Sequence, residues 1–549
     1  MYLSRKQKRV FALLLLAGCL YFILMIWPNS SGAKDPAMIS IFEPDESAQY
    51  AHPLRMLSGG ETLKAAARRF VYYQHYYYGF PFYASSAVFA LLPAKILVGL
   101  GNTQLNMLLL RQMVSVLPMI LAVLVFVYLQ TRFTSYLSSL ALFIFLLTVP
   151  AVFKNSTWWH PDSLAILFIS LTFFFLNRDE LRFGKDFYFA AAACGLATAT
   201  KLLGLFFFLA IPAYILIGYL QKRITLGSAS RCALGFVFVM ALTFVIANPF
   251  LLNPEHRARA LKIQTNQAEA MSLGWNVLYS KGPVAWYPMI KEMYGQLIFI
   301  VLAFALTLIS IWKNHNRLLN LLILAFTFPF LIYVLFTIVI KPTHFLLPAA
   351  LPLYSGLAGM FTVIPLPRFS GNALATFRKQ FPNLLWAVLA LPIPGYQAYS
   401  NLAWDVQHYH HSVNKESESE EVRFFTELNE RYLSKLPEGM PLNVFRDVRA
   451  YFPQRGSWAV TVRSRPANYA IIEAQNTYLV ILWYQRALDY TQEGVLDTAI
   501  DRAEMELAYQ FYTDVRADRL KGYALLYRTE CCSAFLRADL YQQYFPQGE

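Results

Sequence analysis

Two Pro-Asp pairs stand where apolar sequence gives way to polar sequence. Asp45 and Glu46 lie in F-E-P-D-E-S-A-Q-Y, and His160 and Asp162 lie in W-W-H-P-D-S-L. Proline followed by an acid is typical of the first turn of a helix, where acids interact favourably with the helix dipole, so helix capping is one explanation. Two carboxylates brought together can also supply a general base or hold a divalent metal ion. We therefore predict Asp45 and Asp162 as the catalytic acids and as the candidate metal ligands, with Glu46 as the alternative for either role.

Cations at the ends of apolar runs are the second group of candidates. Lys201 interrupts A-T-A-T-K-L-L-G-L-F-F-F, and Lys341 and His344 stand in K-P-T-H-F-L-L-P. A lysine in such a run either extends its ammonium group to the lipid headgroups or serves a functional site, because a charge within the membrane is costly. Lys341 also simply ends an apolar run. These three residues are the candidates for binding a phosphate or another part of a substrate.

Tyrosines crowd the stretch F-V-Y-Y-Q-H-Y-Y-Y-G-F-P-F-Y, residues Phe70–Tyr83. Aromatic residues are enriched at the membrane–water interface, so an interfacial belt is one explanation. A wall for a lipid carrier or a sugar is the other. Tyr78 from this stretch and His160 are added as candidate substrate contacts.

The composition places these residues in a membrane protein with many spans. Of 549 residues, 57% are hydrophobic and 15% are charged, and the mean hydropathy is +0.39. Soluble domains seldom remain so apolar over this length. The net charge of +14 is explained by Lys and Arg in short loops between spans. No basic soluble module is visible, which argues against a nucleic-acid partner.

The apolar runs predict eleven spans. A span needs about 20 apolar residues, and the basic R-K-Q-K-R before the first run favours an uncleaved first span. The predicted spans are Phe11–Trp27, Met107–Gln130, Tyr136–Phe153, Leu164–Leu176, Phe187–Thr200, Leu202–Leu220, Cys232–Ala247, Leu297–Trp312, Leu318–Ile340, Phe345–Ile364 and Leu384–Tyr396.

The segment Pro81–Leu100 decides the orientation. If it does not cross, the basic loops around residues 132, 177–185, 221–231, 313–317 and 368–379 lie on the side of the basic N-terminus. That is the positive-inside pattern. If it crosses, all of them move outside. We predict juxtamembrane helices there, and all the candidate site residues then converge on the outer face.

The predicted organisation has three parts. Residues 1–402 form the transmembrane module, whose first outer loop covers about 28–106. Residues 403–420 form a charged hinge, and residues 421–549 form a small extracytoplasmic α/β domain. In that domain the patterns predict helices over Glu421–Leu436 and Asp497–Asp514, and strands in P-L-N-V-F-R-D-V, N-Y-A-I-I-E-A and Y-A-L-L-Y-R-T. The fold class is thus mainly α and polytopic, with a C-terminal α/β domain.

Four motifs together resemble the GT-C superfamily of polytopic glycosyltransferases, which use polyprenyl-phosphate-linked sugars. They are F-E-P-D-E-S-A-Q-Y, W-W-H-P-D-S-L, G-L-A-T-A-T-K-L-L-G and H-F-L-L-P-A-A-L-P-L. The lipid A aminoarabinose transferases and the protein O-mannosyltransferases are the most similar branches. The resemblance covers residues 1–400 and departs from the aminoarabinose branch at three positions. Ala48 and Phe80 stand where that branch has Arg and Lys, and His344 stands where Arg is usual.

The resemblance implies inverting transfer of a sugar to an acceptor hydroxyl at the outer face. Asp45 would then take the hydroxyl proton, and Lys201 with His344 or Lys341 would neutralise the carrier phosphate. Asp162 would orient the acceptor or bind a metal ion with Asp45. It also implies a bacterial inner membrane location with a periplasmic site. The acceptor, whether lipid, glycan or protein, stays open.

Two other functions compete with this one. A flippase or transporter of lipid-linked sugars would also carry paired charges, but transporters tend to show inverted repeats and a midplane site, and no internal repeat is visible. An O-antigen ligase or polymerase would rely on arginines in a large outer loop, whereas this outer loop is rich in acids and tyrosines.

Overall fold

The computed structural model describes residues 4–275, 277–363, 391–437, 439–454 and 456–545. The first outer loop and the helices around it are short. Their bounds are α1 Arg5–Leu24, α2 Ile26–Ser30, α3 Pro36–Phe42, α4 Pro44–Met56, α5 Leu63–Val71, α6 Phe80–Ser85, α7 Leu92–Leu97, α8 Thr103–Leu110 and α9 Leu117–Thr131. π-Helical turns at Ser86–Leu91 and Arg111–Val116 join α6 to α7 and α8 to α9, so each pair forms one continuous rod.

The remaining helices of the transmembrane module follow with short connections. They are α10 Tyr136–Leu147, α11 Pro150–Ser156, α12 Asp162–Asp179, α13 Lys185–Lys201, α14 Ala210–Leu220, α15 Leu226–Ala247, α16 Pro254–Leu273, α17 Pro283–Met293, α18 Leu297–Trp312, α19 Arg317–Thr337, α20 Leu347–Ser355, α21 Met360–Val363 and α22 Pro392–Glu418. 3₁₀ turns occupy Leu203–Phe208, Pro249–Leu252 and Gly356–Gly359.

Within the described part of the chain, six helical rods are long and apolar enough to span a membrane, and eight if two bent pairs each count as one span. The predicted count of eleven is therefore not reached by this measure and stays a prediction. α12 and α13 are not among these rods, although they form a hairpin. A helix of 17 or 18 residues is about 26 Å long, which is close to the thickness of the hydrocarbon core. Most of the predicted span Leu384–Tyr396 lies outside the described residues.

The rod Phe80–Leu97 passes the test for a span, but its surroundings favour the predicted position along the surface. Gln7 Nε2 donates to Arg132 O at 2.8 Å, and Gln104 Nε2 donates to Ser30 O at 2.9 Å. The first span and the rod Thr103–Thr131 therefore run antiparallel, and Ser30 and Gln104 lie at the same end of the bundle. The segment between them must cross an even number of times. It contains one rod that is long and apolar enough to cross, so the parity favours a surface position for that rod, which stays a prediction.

The basic loops lie together at the opposite end of the bundle. Asn316 Nδ2 donates to Gln130 O at 2.9 Å, which brings the K-N-H-N-R loop beside Arg132. Phe174, near the end of α12, packs its ring 5.9 Å from that of Tyr128. The predicted loop 368–379 lies outside the described residues. The basic loops and the candidate site residues thus occupy different ends.

The C-terminal domain is an α/β domain, as predicted, with a five-stranded sheet in the order β2-β1-β3-β5-β4. Its elements are α23 Glu420–Arg431, β1 Asn443–Asp447, β2 Ala459–Arg463, α24 Tyr469–Ala474, β3 Leu479–Trp483, α25 Tyr484–Tyr490, α26 Arg502–Arg516, β4 Tyr523–Arg528, β5 Cys532–Arg537 and α27 Ala538–Tyr544. β1 pairs parallel with β2 and β3, whereas β5 pairs antiparallel with β3 and β4. Alternate residues of β3 pack on α23 and on α26, so helices cover both faces of the sheet.

One strand prediction in this region is wrong. N-Y-A-I-I-E-A is the helix α24, because the Asn468 side chain accepts the backbone N–H of Ile471 and caps its first turn; a short apolar run does not by itself distinguish helix from strand. The segment 403–420, predicted as a charged hinge, is helical as far as Glu418, and the backbone becomes extended at Ser419 before α23 begins. Its charged residues bind the first outer loop: Glu416 pairs with Lys34 and accepts the backbone N–H of Gly32.

Candidate active site

Asp162 lies at the centre of a buried polar cluster at the end of the bundle opposite the basic loops. It is the first residue of α12 and is 1% exposed. Both carboxylate oxygens accept Lys201 Nζ, at 2.8 and 2.9 Å, and one also bonds to His160 Nδ1. No side chain caps α12 through a hydrogen bond, so Asp162 is not the helix cap that its sequence position suggested.

The local backbone explains how Lys201 reaches Asp162. Lys201 is the last residue of α13, and Leu202 after it takes the left-handed conformation with φ +54°. The helix therefore stops at Lys201, as the sequence predicts, and its side chain turns inward instead of out to the headgroups. Its ammonium also lies 5.4 Å from the Phe345 ring centroid. Because the side chain pairs with a buried acid, snorkelling does not explain this lysine.

His160 connects Asp162 to the tyrosine-rich stretch. Burial and the nearby Lys201 lower the pKa of His160 to about 4, so its ring is neutral near pH 7. A neutral imidazole has one N–H. If that N–H lies on Nδ1 and donates to Asp162, then Nε2 accepts the Tyr78 hydroxyl, 2.7 Å away. Tyr78, His160, Asp162 and Lys201 thus form one hydrogen-bonded chain.

The backbone next to Tyr78 is fixed against the end of α13. Gly79 N donates to Thr200 O at 3.1 Å, and Phe80 N donates to Asn248 Oδ1 at 2.8 Å. A Cβ atom on Gly79 would lie 1.5 Å from Ala199 O, so only glycine fits this contact. The contact ties the start of the rod Phe80–Leu97 to the residue beside Lys201, which places Tyr78 at the site.

Asp45 differs from the other site acids because its carboxylate has no bonded partner among the residues that the structure describes. It stands in the first turn of α4 but caps nothing. Water reaches the side chain, which is exposed, but the surrounding protein still removes part of its hydration. Desolvation, followed by the charge of Glu43, raises the pKa of Asp45 to about 6, although the positive charges of Lys201 and Arg449 oppose this rise. Asp45 can therefore accept a proton near neutral pH.

Glu46, the next residue, is fully buried and fully paired. Its carboxylate accepts Arg111 Nε at 2.9 Å and Nη2 at 2.5 Å, and it also accepts Trp159 N at 2.7 Å. Arg111 in turn donates to Asn29 O and Ser31 O. With its oxygens occupied and no access to solvent, Glu46 is not placed to act as a base. It instead joins the two acidic motifs, since Trp159 belongs to the second.

Arg111 is the residue that the sequence analysis missed. It lies at a π-helical turn within the predicted span Met107–Gln130 and is 0% exposed. A cation within an apolar span is a functional candidate by default, and applying that rule to M-L-L-L-R-Q-M-V would have found it. Two further cations surround this region: Lys154 pairs with Glu43 at 2.7 Å, and Lys415 lies over the Phe42 ring.

His344, one of the two residues predicted to neutralise the carrier phosphate with Lys201, lies beside Asp162, whereas Lys341 is bonded elsewhere. His344 Nε2 lies 3.8 Å from Asp162 Oδ2, and its ring packs against those of Trp158 and His160. Burial and Lys201 hold its pKa well below the ordinary value, so the ring is neutral. Lys341 donates to two loop carbonyls, those of Ser280 and Val339, and has no bond to a site residue within the described chain.

A metal ion does not fit the predicted pair Asp45 and Asp162. The ligand atoms that lie together, within 4.8 Å of one another, belong to His160, Asp162 and His344. Lys201 and His160 already occupy the Asp162 oxygens, and both His160 ring nitrogens are bonded. A divalent cation would have to displace the Lys201 ammonium. We therefore derive no reaction step through a metal ion.

The fold has counterparts among solved structures, although no family model and no curated protein matches the sequence. ArnT from Cupriavidus metallidurans bound to undecaprenyl phosphate is 13% identical over 96% of this chain and 97% of that chain, with a TM-score of 0.50. The same protein in the apo state is 12% identical over 95% and 97%, with a TM-score of 0.49. The oligosaccharyltransferase of Archaeoglobus fulgidus, in complex with Zn and sulfate, is 11% identical over 84% and 65%, with a TM-score of 0.41.

The match to the ArnT complex extends over almost the whole of both chains, and it therefore includes the transmembrane module and the C-terminal domain. At this identity it concerns the fold alone. The four motifs that resemble the GT-C superfamily occur in this fold, at the end of the bundle where Asp45, Asp162 and Lys201 meet. The chain has the fold of ArnT.

Proposed function

We propose that this protein is an inverting glycosyltransferase that moves a sugar from a polyprenyl-phosphate carrier to an acceptor hydroxyl at the outer face of the membrane. One observation carries the proposal: an unpaired carboxylate, Asp45, whose pKa is raised to about 6, lies in the same site as the buried Asp162–Lys201 pair. The structure of ArnT with undecaprenyl phosphate, which shares the fold, supports the class of carrier.

Asp45 is the general base of the proposed reaction. The acceptor oxygen attacks the anomeric carbon C1 of the sugar as its proton passes to the Asp45 carboxylate. The bond between C1 and the phosphate oxygen breaks, and its electron pair leaves with the polyprenyl phosphate. A phosphate is a stable leaving group, so it needs a nearby positive charge more than it needs a proton.

Lys201 provides the positive charge. Its ammonium group has three N–H donors, and Asp162 fixes its position. One donor stays available for a phosphate oxygen when the other two bond the Asp162 carboxylate. Asp162 and the neutral His160 therefore act as positioning residues, and the Tyr78 hydroxyl, which is bonded to His160, ends the hydrogen-bonded chain.

The outer orientation follows from the distribution of charge. The basic loops lie at one end of the bundle and the candidate site lies at the other, so the positive-inside rule puts the site outside the cytoplasm. For a bacterial chain this is the periplasmic face of the inner membrane. The position of the site at the end of the bundle also speaks against a transporter, whose binding site would lie near the midplane.

The test uses purified protein and a panel of radiolabelled polyprenyl-phosphate sugars with membrane extract as the source of acceptors. We expect the parent protein to release one labelled sugar from its carrier, and Asp45→Asn to do so about 10²- to 10⁴-fold more slowly, the usual contribution of a general base. The matched control is Asp186→Asn, which changes an acid in the first turn of a helix, α13, at the basic end of the bundle. No release from any carrier by folded parent protein would refute the proposal.

A further inference from the structure

The C-terminal domain contacts the short helix that precedes Asp45. This helix, α3, ends at Phe42, three residues before Asp45. Arg446 Nη1 donates to Ser40 Oγ at 3.0 Å, in a fully buried contact. Arg449 Nη1 lies 3.4 Å from Ile41 O. Two arginines of one domain thus reach the last turn of a helix in another part of the chain.

The same domain also holds the beginning of α3. Asp35 caps that helix, because its Oδ1 accepts the backbone N–H of Met38 at 2.8 Å. The other oxygen of Asp35 accepts the Tyr451 hydroxyl at 2.9 Å. The helix is therefore fixed at both ends by residues from one short segment, 446–451, which comprises the end of β1 and the loop after it.

Apolar contacts reinforce these bonds. Tyr451 packs with Ala37, Met38 and Ile41 in a small hydrophobic cluster that is separate from the core of the bundle and from the core of the sheet. Phe42 and Phe425 pack against this cluster. The contact between the domain and α3 thus has an apolar centre with polar bonds around it, which is the composition of a specific interface.

Arg446 is a charged residue that is buried at this contact. Its side chain is 3% exposed, and within the described part of the chain it forms no ion pair with a carboxylate. Its Nη1 donates to the backbone carbonyls of Asp447, Val448 and Ala450 as well as to Ser40. The negative charges of Asp35 and Asp447 act on the buried guanidinium, and Ser40 is one of the acceptors that hold it in place.

A second attachment holds the segment before α3. Ser31 Oγ donates to Val413 O at 3.0 Å, and Gly32 N donates to Glu416 Oε1 at 2.7 Å. Both partners belong to α22, the helix that leads into the C-terminal domain. The first outer loop is therefore bound to the C-terminal part of the chain from Ser31 to Ile41, up to the site.

We infer that the C-terminal domain helps to position the active site. Its segment 446–451 fixes α3 and thereby the place of Asp45. The inference depends on the proposed role of Asp45. It predicts that loosening this contact slows the transfer step while donor binding is retained, because a misplacement of about 1 Å can lower a rate by about 10²-fold.

The test compares Arg446→Met and Tyr451→Phe with two controls in the same domain. Arg528→Met removes an arginine that pairs with Asp518, and Tyr523→Phe removes a hydroxyl that donates to Thr477 O; neither contacts α3. We expect faster hydrogen exchange over residues 36–47 and a kcat about 10- to 100-fold lower in the two interface variants, with the KM for the donor within about twofold of the parent value. The controls should change neither quantity.

A double-mutant cycle separates positioning from loss of stability. If Arg446 acts through Ser40, the effects of Arg446→Met and Ser40→Ala on kcat should be clearly non-additive. Parental kcat in an interface variant whose segment 36–47 exchanges faster would overturn the inference, and so would parental exchange in both interface variants. If the parent protein releases no sugar, the proposed function fails. The hydrogen-exchange measurement still decides whether the segment 446–451 holds α3.

Discussion

At the scale of single residues, three acids within reach of one another have three different environments. Glu46 is buried against Arg111, Asp162 is buried against Lys201, and Asp45 has no bonded partner among the described residues. A paired carboxylate is stabilised in its ionised form and is a poor proton acceptor. The difference in pairing therefore favours Asp45 as the base of the proposed reaction.

The pKa of Asp45 predicts a pH dependence. The base is active when ionised, so kcat/KM should rise with pH through about 6 and level off above it, since this profile reports groups of the free enzyme. Below that pH the rate should fall about tenfold for each unit. Removing the positive charge in Lys201→Met should move the midpoint to higher pH, and replacing the acidic neighbour in Glu43→Gln should move it to lower pH. A profile that is flat from pH 5 to 8 would contradict the role of Asp45.

Lys201 and Lys341 make a matched pair for a second prediction. Both are lysines at the outer ends of apolar runs, but Lys201 bonds to a site acid and Lys341 to loop carbonyls. Loss of a hydrogen bond to a charged group costs about 1.5–3 kcal/mol, so Lys201→Met should weaken the binding of undecaprenyl phosphate about 10- to 100-fold. Lys341→Met should bind as the parent does, in a direct titration with the labelled lipid.

Lys201→Met also leaves Asp162 buried without its cation, which can unfold the site. The double variant Lys201→Met/Asp162→Asn removes both charges and serves as the folded reference. Equal affinity of this double variant and the parent for undecaprenyl phosphate would show that Lys201 does not bind the carrier.

At the scale of elements, the pair Glu46–Arg111 joins three parts of the chain. Glu46 is in α4, Arg111 is at the turn between α8 and α9, and the carbonyls of Asn29 and Ser31 end the first span. Removing one partner of a buried ion pair costs about 3–5 kcal/mol, because the other charge is left without compensation. We therefore expect Arg111→Met to lower thermal stability strongly.

The double variant Arg111→Met/Glu46→Gln tests the explanation of that loss. It removes both charges, so it should recover part of the stability that Arg111→Met loses, measured as the apparent Tm in detergent. If the double variant is no more stable than Arg111→Met, the stabilising partner of Arg111 is not Glu46.

The sequence predicts the apolar helices well and the polar contacts poorly. Most of the predicted spans overlap helices, because apolar runs in a membrane protein have few alternatives to helical structure. The end of α13 at Lys201 and the helix starts near Asp45 and Asp162 also agree with the structure. The sequence does not predict which acids are paired. Whether an acid has a bonded partner depends on residues about 40 to 110 positions away, such as Lys201 for Asp162 and Trp159 for Glu46.

The C-terminal domain shows the same limit. Period and apolar content identify β1, β4, α23 and α26, but they give a strand where the structure has α24, and they do not indicate that α22 continues to Glu418. In both places a tertiary or capping contact decides the structure: Asn468 caps α24, and Lys34 and Gly32 bind Glu416. The local sequence does not indicate the partners of Glu416, whereas Asn468 directly precedes α24 and is a preferred N-cap residue.

At the scale of the whole molecule, the two ends of the bundle have different chemistry. The loops with Arg132 and K-N-H-N-R lie at one end, whereas Asp45, Asp162 and the C-terminal domain belong to the other. The proposed transfer takes place at the second of these ends. The orientation of the chain then determines which compartment supplies the acceptor.

The orientation can be tested with single cysteines in a chain whose five native cysteines are replaced. Lys313→Cys lies in the basic loop 313–317 and Ser417→Cys lies near the end of α22, and both positions are exposed. The positive-inside rule predicts that a membrane-impermeant maleimide labels Ser417→Cys in intact cells and labels Lys313→Cys only after permeabilisation. The reverse pattern would place the candidate site in the cytoplasm and refute the proposed orientation.

The same assay tests the rod Phe80–Leu97, on which the predicted topology depends. Glu61 precedes the rod, Gly101 follows it, and both are exposed. Because Ser30 and Gln104 lie at one end of the bundle, Glu61→Cys and Gly101→Cys should both be labelled in intact cells. If the rod crosses the membrane, only one of the two will be labelled before permeabilisation. In that case the segment between the first two spans must contain a second crossing, and the surface position of the rod beside Asp45 would be wrong.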